Sequence, residues 1–121
     1  MDDAHKVFLE ECGIVVSDYR DENVAPTPET IRQTRARIIE LCPGRKVPLL
    51  VLADVARGMD ADMMDAVAGM ADVVTRIAIV PQSSYGIAFA GDFVGMRVFP
   101  FPHRMFEREA DARAWLVSRD G

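Results

Sequence analysis

Few residues in this chain are spaced for chemistry, and the most suggestive group is Asp54-Val55-Ala56-Arg57-Gly58-Met59-Asp60. An arginine in such a loop can hold a carboxylate or phosphate of a partner. Asp54, Asp60 and Asp62 together can offer oxygens to a hard cation such as magnesium. The plainer account is local: Arg57 pairs with Asp54 or Asp60, Asp60 caps the helix that follows, and Asp62 lies against the positive end of its dipole. No metal site is assigned. Ser83, Ser84 and Tyr85 form a second group, the hydroxyl cluster at the end of a strand-like segment. They read either as a helix cap with a partly buried tyrosine or as a ligand or modification site. His5 and His103 have no ligand spacing to each other or to Cys12 and Cys42, and no glycine-rich phosphate loop is present. No catalytic residues and no cofactor are therefore expected, and the chain is read as not an enzyme.

A third feature is apolar. Tyr85, Phe89, Phe93, Met96, Phe99, Phe101, Met105 and Phe106 crowd one segment, more aromatic surface than one-sided packing of short elements needs. Phe89, Phe93, Phe101 and Met105 are accordingly expected on a surface that meets a second copy of the chain or an apolar ligand. Arg32, Arg35, Arg37, Arg45 and Lys46 concentrate positive charge locally. They can meet an acidic partner, but a solvated helix face accounts for them more simply.

The elements that must position these groups centre on the run from Val47 to Ala53, in which Leu49, Leu50, Val51 and Leu52 leave no alternation with polar residues. That pattern predicts a strand covered on both faces. Before it, His5–Leu9 and Ile14–Val16 with Tyr19 read as a hairpin joined through Glu10–Gly13, its first strand at a sheet edge. Thr27-Pro28 predicts a helix start, and Ile31, Thr34, Ile38, Leu41 and Cys42 give that helix an inward stripe ending at Pro43-Gly44. After Asp60, Met63, Val67, Met70, Ala71 and Val74 mark another helix, and Arg76–Val80 another strand ending at Pro81. A weak helix carrying Tyr85, Ala88, Phe89 and Phe93 is predicted next, then a short strand over Met96–Phe99 and a last helix from Glu107 to about Ser118. In that helix Ala112, Trp115 and Leu116 share a face, with Trp115 expected to be its largest burial.

At 121 residues with half of them hydrophobic, the chain suits one domain over residues 1–121. Nineteen acidic against 14 basic side chains give a net charge of −5, which argues against nucleic acid or an anionic membrane as partner. No apolar run approaches membrane-spanning length. With two cysteines expected to be reduced, the chain is read as cytoplasmic.

The predicted order is ββαβαβαβα, an α/β fold with a mixed, mostly parallel five-stranded sheet and about four helices. This order resembles the STAS domain of anti-sigma-factor antagonists and, more closely, small stand-alone STAS-like bacterial proteins. The resemblance rests on Ile14-Val15-Val16, on Val51-Leu52-Ala53-Asp54, on Ile77-Ala78-Ile79-Val80, and on Phe106 with Ala112, Trp115 and Leu116. It implies a regulatory protein-interaction module, homodimeric and able to meet a regulatory protein partner. The loops after the strands, with Asp54, Arg57, Gly58, Asp60, Ser83, Ser84 and Tyr85, would be its binding face. In anti-sigma antagonists the first of these loops carries a serine or threonine that a partner kinase phosphorylates; the stretch from Asp54 to Asp60 has no hydroxyl. The alternative is a binder of a small apolar or lipid-like ligand beneath the helix after the fourth strand.

Overall fold

The computed structural model describes residues 6–19, 27–53, 61–82 and 99–118. Its sheet contains β1 (Lys6–Leu9), β2 (Val15–Asp18), β3 (Val47–Leu52), β4 (Val74–Val80) and β5 (His103–Met105), in that spatial order. β1 runs antiparallel to β2, and β2, β3, β4 and β5 are parallel to one another. The helices are α1 (Pro28–Leu41), α2 (Ala61–Ala68), continued by a 3-10 turn over Gly69–Asp72, and α3 (Glu109–Val117). The fold is α/β with a five-stranded, mostly parallel sheet.

β3 lies between two parallel neighbours, with Leu50 opposite both Val16 and Ala78. Its side chains divide between two cores. Val47 and Leu49 join Ile38 of α1 and Met64 and Val67 of α2 on one face, while Leu50 and Leu52 join Ala112 and Leu116 of α3 on the other. The uninterrupted apolar run follows directly, because both faces of the strand are covered by packed side chains, with only Pro48 and Val51 partly exposed. Pro48 has no N–H to give, and the β3–β4 register shifts between Val47 and Pro48.

α1 begins as its sequence dictates. Thr27 accepts from the Thr30 amide at 3.1 Å, and Thr30 Oγ1 accepts from the Thr27 amide at 2.9 Å. This is a capping box with a threonine in the place usually held by Glu or Gln. The helix stops at Cys42, and Gly44, at φ 78, takes the left-handed turn that leads into β3. The α1 arginines are paired: Arg32 with Glu29, Arg35 with Asp72, and Arg37 with Glu40. These three arginines thus form an exposed face on which each charge has a carboxylate partner, and Asp72 is held below the usual carboxylate range by its bond from Arg35.

α3 is fastened at both ends. Arg113 donates to Glu10 in the hairpin turn at 3.0 Å and to Glu109 at 2.9 Å, and Glu10 is the main reason its guanidinium is held more firmly protonated than usual. At the other end Arg76 of β4 donates to the Trp115 carbonyl at 2.6 Å and lies 4.9 Å from the centre of the indole ring. Trp115 is consequently half-buried, sharing its ring with Arg76, Arg104 and Phe106, and the full burials of α3 are Ala112 and Leu116.

Several boundaries differ from the sequence reading. Val74 opens β4 instead of closing α2, because the helical stripe passes through a 3-10 turn and ends at Val73. The described helices number three where about four were predicted, and the described order is ββαβαββα. The predicted helix carrying Phe89 and Phe93 lies outside the described residues. Of the strand predicted over Met96–Phe99, residues 96–98 lie outside the described residues and Phe99 is not in a strand; β5 is three residues at His103–Met105, beyond Pro100 and Pro102, which have no N–H to give. Leu50→Ala is expected to lower unfolding free energy by about 3 kcal/mol with an unchanged denaturant slope, because Leu50 is fully buried and its site is fixed by both neighbouring strands. Urea denaturation followed by circular dichroism measures it.

Candidate functional site

On the α1/α2 face, toward the carboxyl ends of β2, β3 and β4, the side chains do not close completely. They leave a cavity of ≈ 60 Å³, room for more than one water molecule. This is where open parallel sheets take ligands. Its floor is the sheet: Leu49 and Val51 of β3 and Ile77 and Ile79 of β4. Its roof is α1 and α2, through Ile31, Met63 and Val67, with Met70 of the 3-10 turn closing one end. The inward stripe of α2 predicted from Met63, Val67 and Met70 is this roof.

The aromatic wall comes from the segment before β5. Phe99 and Phe101 stack with ring centres 5.7 Å apart and planes within 6°, and His103 meets both edge-on at 5.1 and 6.2 Å. His103 Nδ1 lies 3.1 Å from the Phe101 carbonyl. A carbonyl only accepts, so that contact places the proton on Nδ1, and in neutral imidazole Nε2 is then the acceptor nitrogen.

Beside the cavity lies a cluster of hydroxyl residues, of which Ser17, Tyr19 and Thr34 contribute to its lining with almost wholly apolar surface. Ser17 and Tyr19 project from β2 and its end, Thr30 and Thr34 from α1, and all are buried. Tyr19 donates its phenol proton to Thr30 Oγ1 at 2.9 Å, and Thr34 donates to the Thr30 carbonyl at 2.9 Å. Ser17 and Thr34 hydroxyl oxygens are 3.5 Å apart. Each of these polar groups thus has a partner, as burial demands. Burial pushes the Tyr19 phenol above its ordinary value of 10.0, opposed in smaller measure by the hydroxyls of Thr30, Ser17 and Thr34.

Of the residues singled out in the sequence, Asp54, Arg57, Gly58, Asp60, Ser83, Ser84, Tyr85, Phe89 and Phe93 lie outside the described residues. Phe101, expected on a surface that meets a second copy of the chain or an apolar ligand, is described: it is 7% exposed, stacks on Phe99 and lines the cavity. Met105 is half-buried on β5. Cys12 is exposed and Cys42 buried, and they share no bridge. Among the described residues no three of His, Cys, Asp and Glu cluster as a metal site.

The Ser17–Tyr19–Thr30–Thr34 cluster was missed in the sequence, although a signal was there. Thr27, Thr30 and Thr34 fall on one helix face at intervals of three and four, and Ser17 breaks an otherwise apolar strand.

The model of one family, a domain of unknown function, DUF7793, matches residues 8–119. The chain belongs to the DUF7793 family. That match takes in every described element except the first residues of β1. No curated protein matches this DUF7793 chain. Among solved structures it is similar to a protein with unknown function from Arthrobacter sp. FB24, at 22% identity over 97% of this chain and 96% of that one, with a TM-score of 0.31.

The Tyr19 environment carries a pH signature. A phenol whose folded pKa is raised contributes stability that is fully present below the unfolded pKa of about 10 and is lost as pH rises through the higher folded value. Tyr19→Phe should cost about 1 kcal/mol at neutral pH through the lost bond to Thr30 and should flatten the fall in stability between pH about 9 and about 11. Urea midpoints of the two proteins across that range check both effects.

Proposed function

We propose that this DUF7793 chain is a non-catalytic binding module whose cavity between α1, α2 and the sheet takes a small, largely apolar ligand. The observation that carries the reading is the cavity itself: ≈ 60 Å³ at the carboxyl end of a parallel sheet, with a surface that is almost wholly apolar. A concave, predominantly apolar lining of this kind is what sites for small apolar molecules have.

The antiparallel β1 edge, the parallel run from β2 to β5 and α3 on the opposite face from α1 and α2 support reading the fold as STAS-like, and with it a regulatory role. In that reading occupancy of the cavity is passed to a protein partner through the loops that follow β3 and β4 in sequence. No helix is long and apolar enough to cross a membrane. Two unbridged thiols support a reducing, cytoplasmic setting.

A second observation favours self-association. β1 is at the sheet edge and leaves Phe8 and Leu9 exposed by 40% and 36%, so antiparallel pairing of two β1 strands would join two sheets across a two-fold axis.

Native mass spectrometry of freshly purified protein should show a bound mass that Val51→Phe removes while the far-ultraviolet spectrum is kept. A bare chain, whatever the purification, would sink the ligand reading. Phe8→Glu should turn a dimer into a monomer by light scattering, and a wild-type monomer at every accessible concentration would remove the dimer.

A further inference from the structure

Across the sheet from the cavity, on the face covered by α3, a positive charge sits on aromatic rings. Arg104 of β5 pairs with Ala78 of β4, and Ala78 packs beneath α3, so both residues belong to that face. The Arg104 guanidinium carbon lies 4.8 Å from the centre of the Phe106 ring and 5.8 Å from that of Trp115. The two rings are in contact, with centres 5.6 Å apart. Arg76 fixes the Trp115 end of α3 by donating to its carbonyl and to the Ser118 hydroxyl, so Arg76 itself is engaged.

Arg104 is not. Arg32, Arg35, Arg37 and Arg113 each meet a carboxylate, whereas among the described residues no hydrogen bond or ion pair engages the exposed Arg104 guanidinium. Its charged neighbours in sequence, Glu107 and Arg108, are exposed and do not bond to it. A guanidinium carries five N–H donors, and a ring attracts its charge without supplying an ordinary acceptor. Those donors are left to water or to a partner. The rings also restrict the side chain before a partner arrives, which lowers the cost of ordering it on binding. Arginine and tryptophan are the residue types that carry most of the energy at protein interfaces.

We propose that Arg104, Phe106 and Trp115 form a docking surface for an acidic peptide segment of a partner protein. A carboxylate of that segment takes the Arg104 N–H groups, and an adjoining apolar side chain packs on the rings. Charge decides the partner: the surface offers a cation without a carboxylate, while a chain of net charge −5 repels a polyanion such as nucleic acid or an anionic membrane. The surface lies on the other side of the sheet from the cavity, so it holds whether or not the cavity takes a ligand.

Trp115 is the single tryptophan in the chain, so its fluorescence reports on this surface alone. Random peptides of about 12 residues, displayed on phage and selected on the immobilised full chain, should be enriched in Asp or Glu beside an apolar residue. Synthetic copies should shift Trp115 emission saturably, and Arg104→Gln should weaken them by about tenfold or more, with Arg104→Lys between the two because it keeps the charge and loses the fork. Replacing the acidic residues of the peptides by Asn or Gln should cost the same about tenfold, and this arm decides the matter even where Arg104→Gln lowers the urea midpoint. No peptide selected, selection without acidic enrichment, or peptides that bind equally well after their carboxylates are removed overturns the proposal. So does oligothymidylate that shifts Trp115 emission at lower concentration than any selected peptide, which would give the surface to nucleic acid.

Discussion

The structure depends on a strand that has no outer side. β3 is hydrogen-bonded on both edges and carries apolar side chains up and down, so it is stable only where both surfaces of the sheet are roofed. Among the described residues, two helices and a 3-10 turn cover one surface, and a single helix covers the other. The asymmetry matters. On the side with one roof, Ala112 and Leu116 pack against small and branched residues such as Ala78 and Val16. The side with more pieces has more joints, and the cavity lies at one of them.

Polar groups in that joint sharpen the point. A cluster of hydroxyls between β2 and α1 stabilises the fold less than aliphatic packing would, since each hydroxyl gains little over its bonds to water. Its presence is compatible with stability because every group in it is bonded, with Thr30 serving at once the helix cap and Tyr19. The same threonine thus links the start of α1 to the end of β2, so the local signal for helix initiation and the tertiary contact that orients the helix are one residue.

The parts of this architecture legible in the sequence were those set by strong local rules. The apolar run at Val47–Leu52, the Thr27-Pro28 start and the Met63, Val67, Met70 stripe could be placed to within a residue or two, because each follows from burial period or capping. The last strand could not. His103–Met105 has no β-branched residue and no alternation to announce it, and it exists because β4 offers an edge. The candidate site was legible only in its apolar half. Threonine on a helix face reads as weak packing, and nothing local tells a hydroxyl bonded to the backbone of its own helix from one bonded across to another element, as Tyr19 is to Thr30. Phe101 was singled out as one of a crowd of aromatic residues, which says that it must be covered but not by what; within the chain it stacks on Phe99 and lines the cavity.

The late position of α3 has a consequence for biogenesis. The surface it covers, built from Ile14, Val16, Leu50, Leu52, Ala78 and Val80, comes from segments translated well before residues 109–117, and the bond from Arg113 to Glu10 spans 103 positions. During synthesis a greasy sheet is therefore complete on the ribosome before its lid exists, a window of exposure in which a nascent chain depends on chaperones or on speed to avoid sticking to its neighbours.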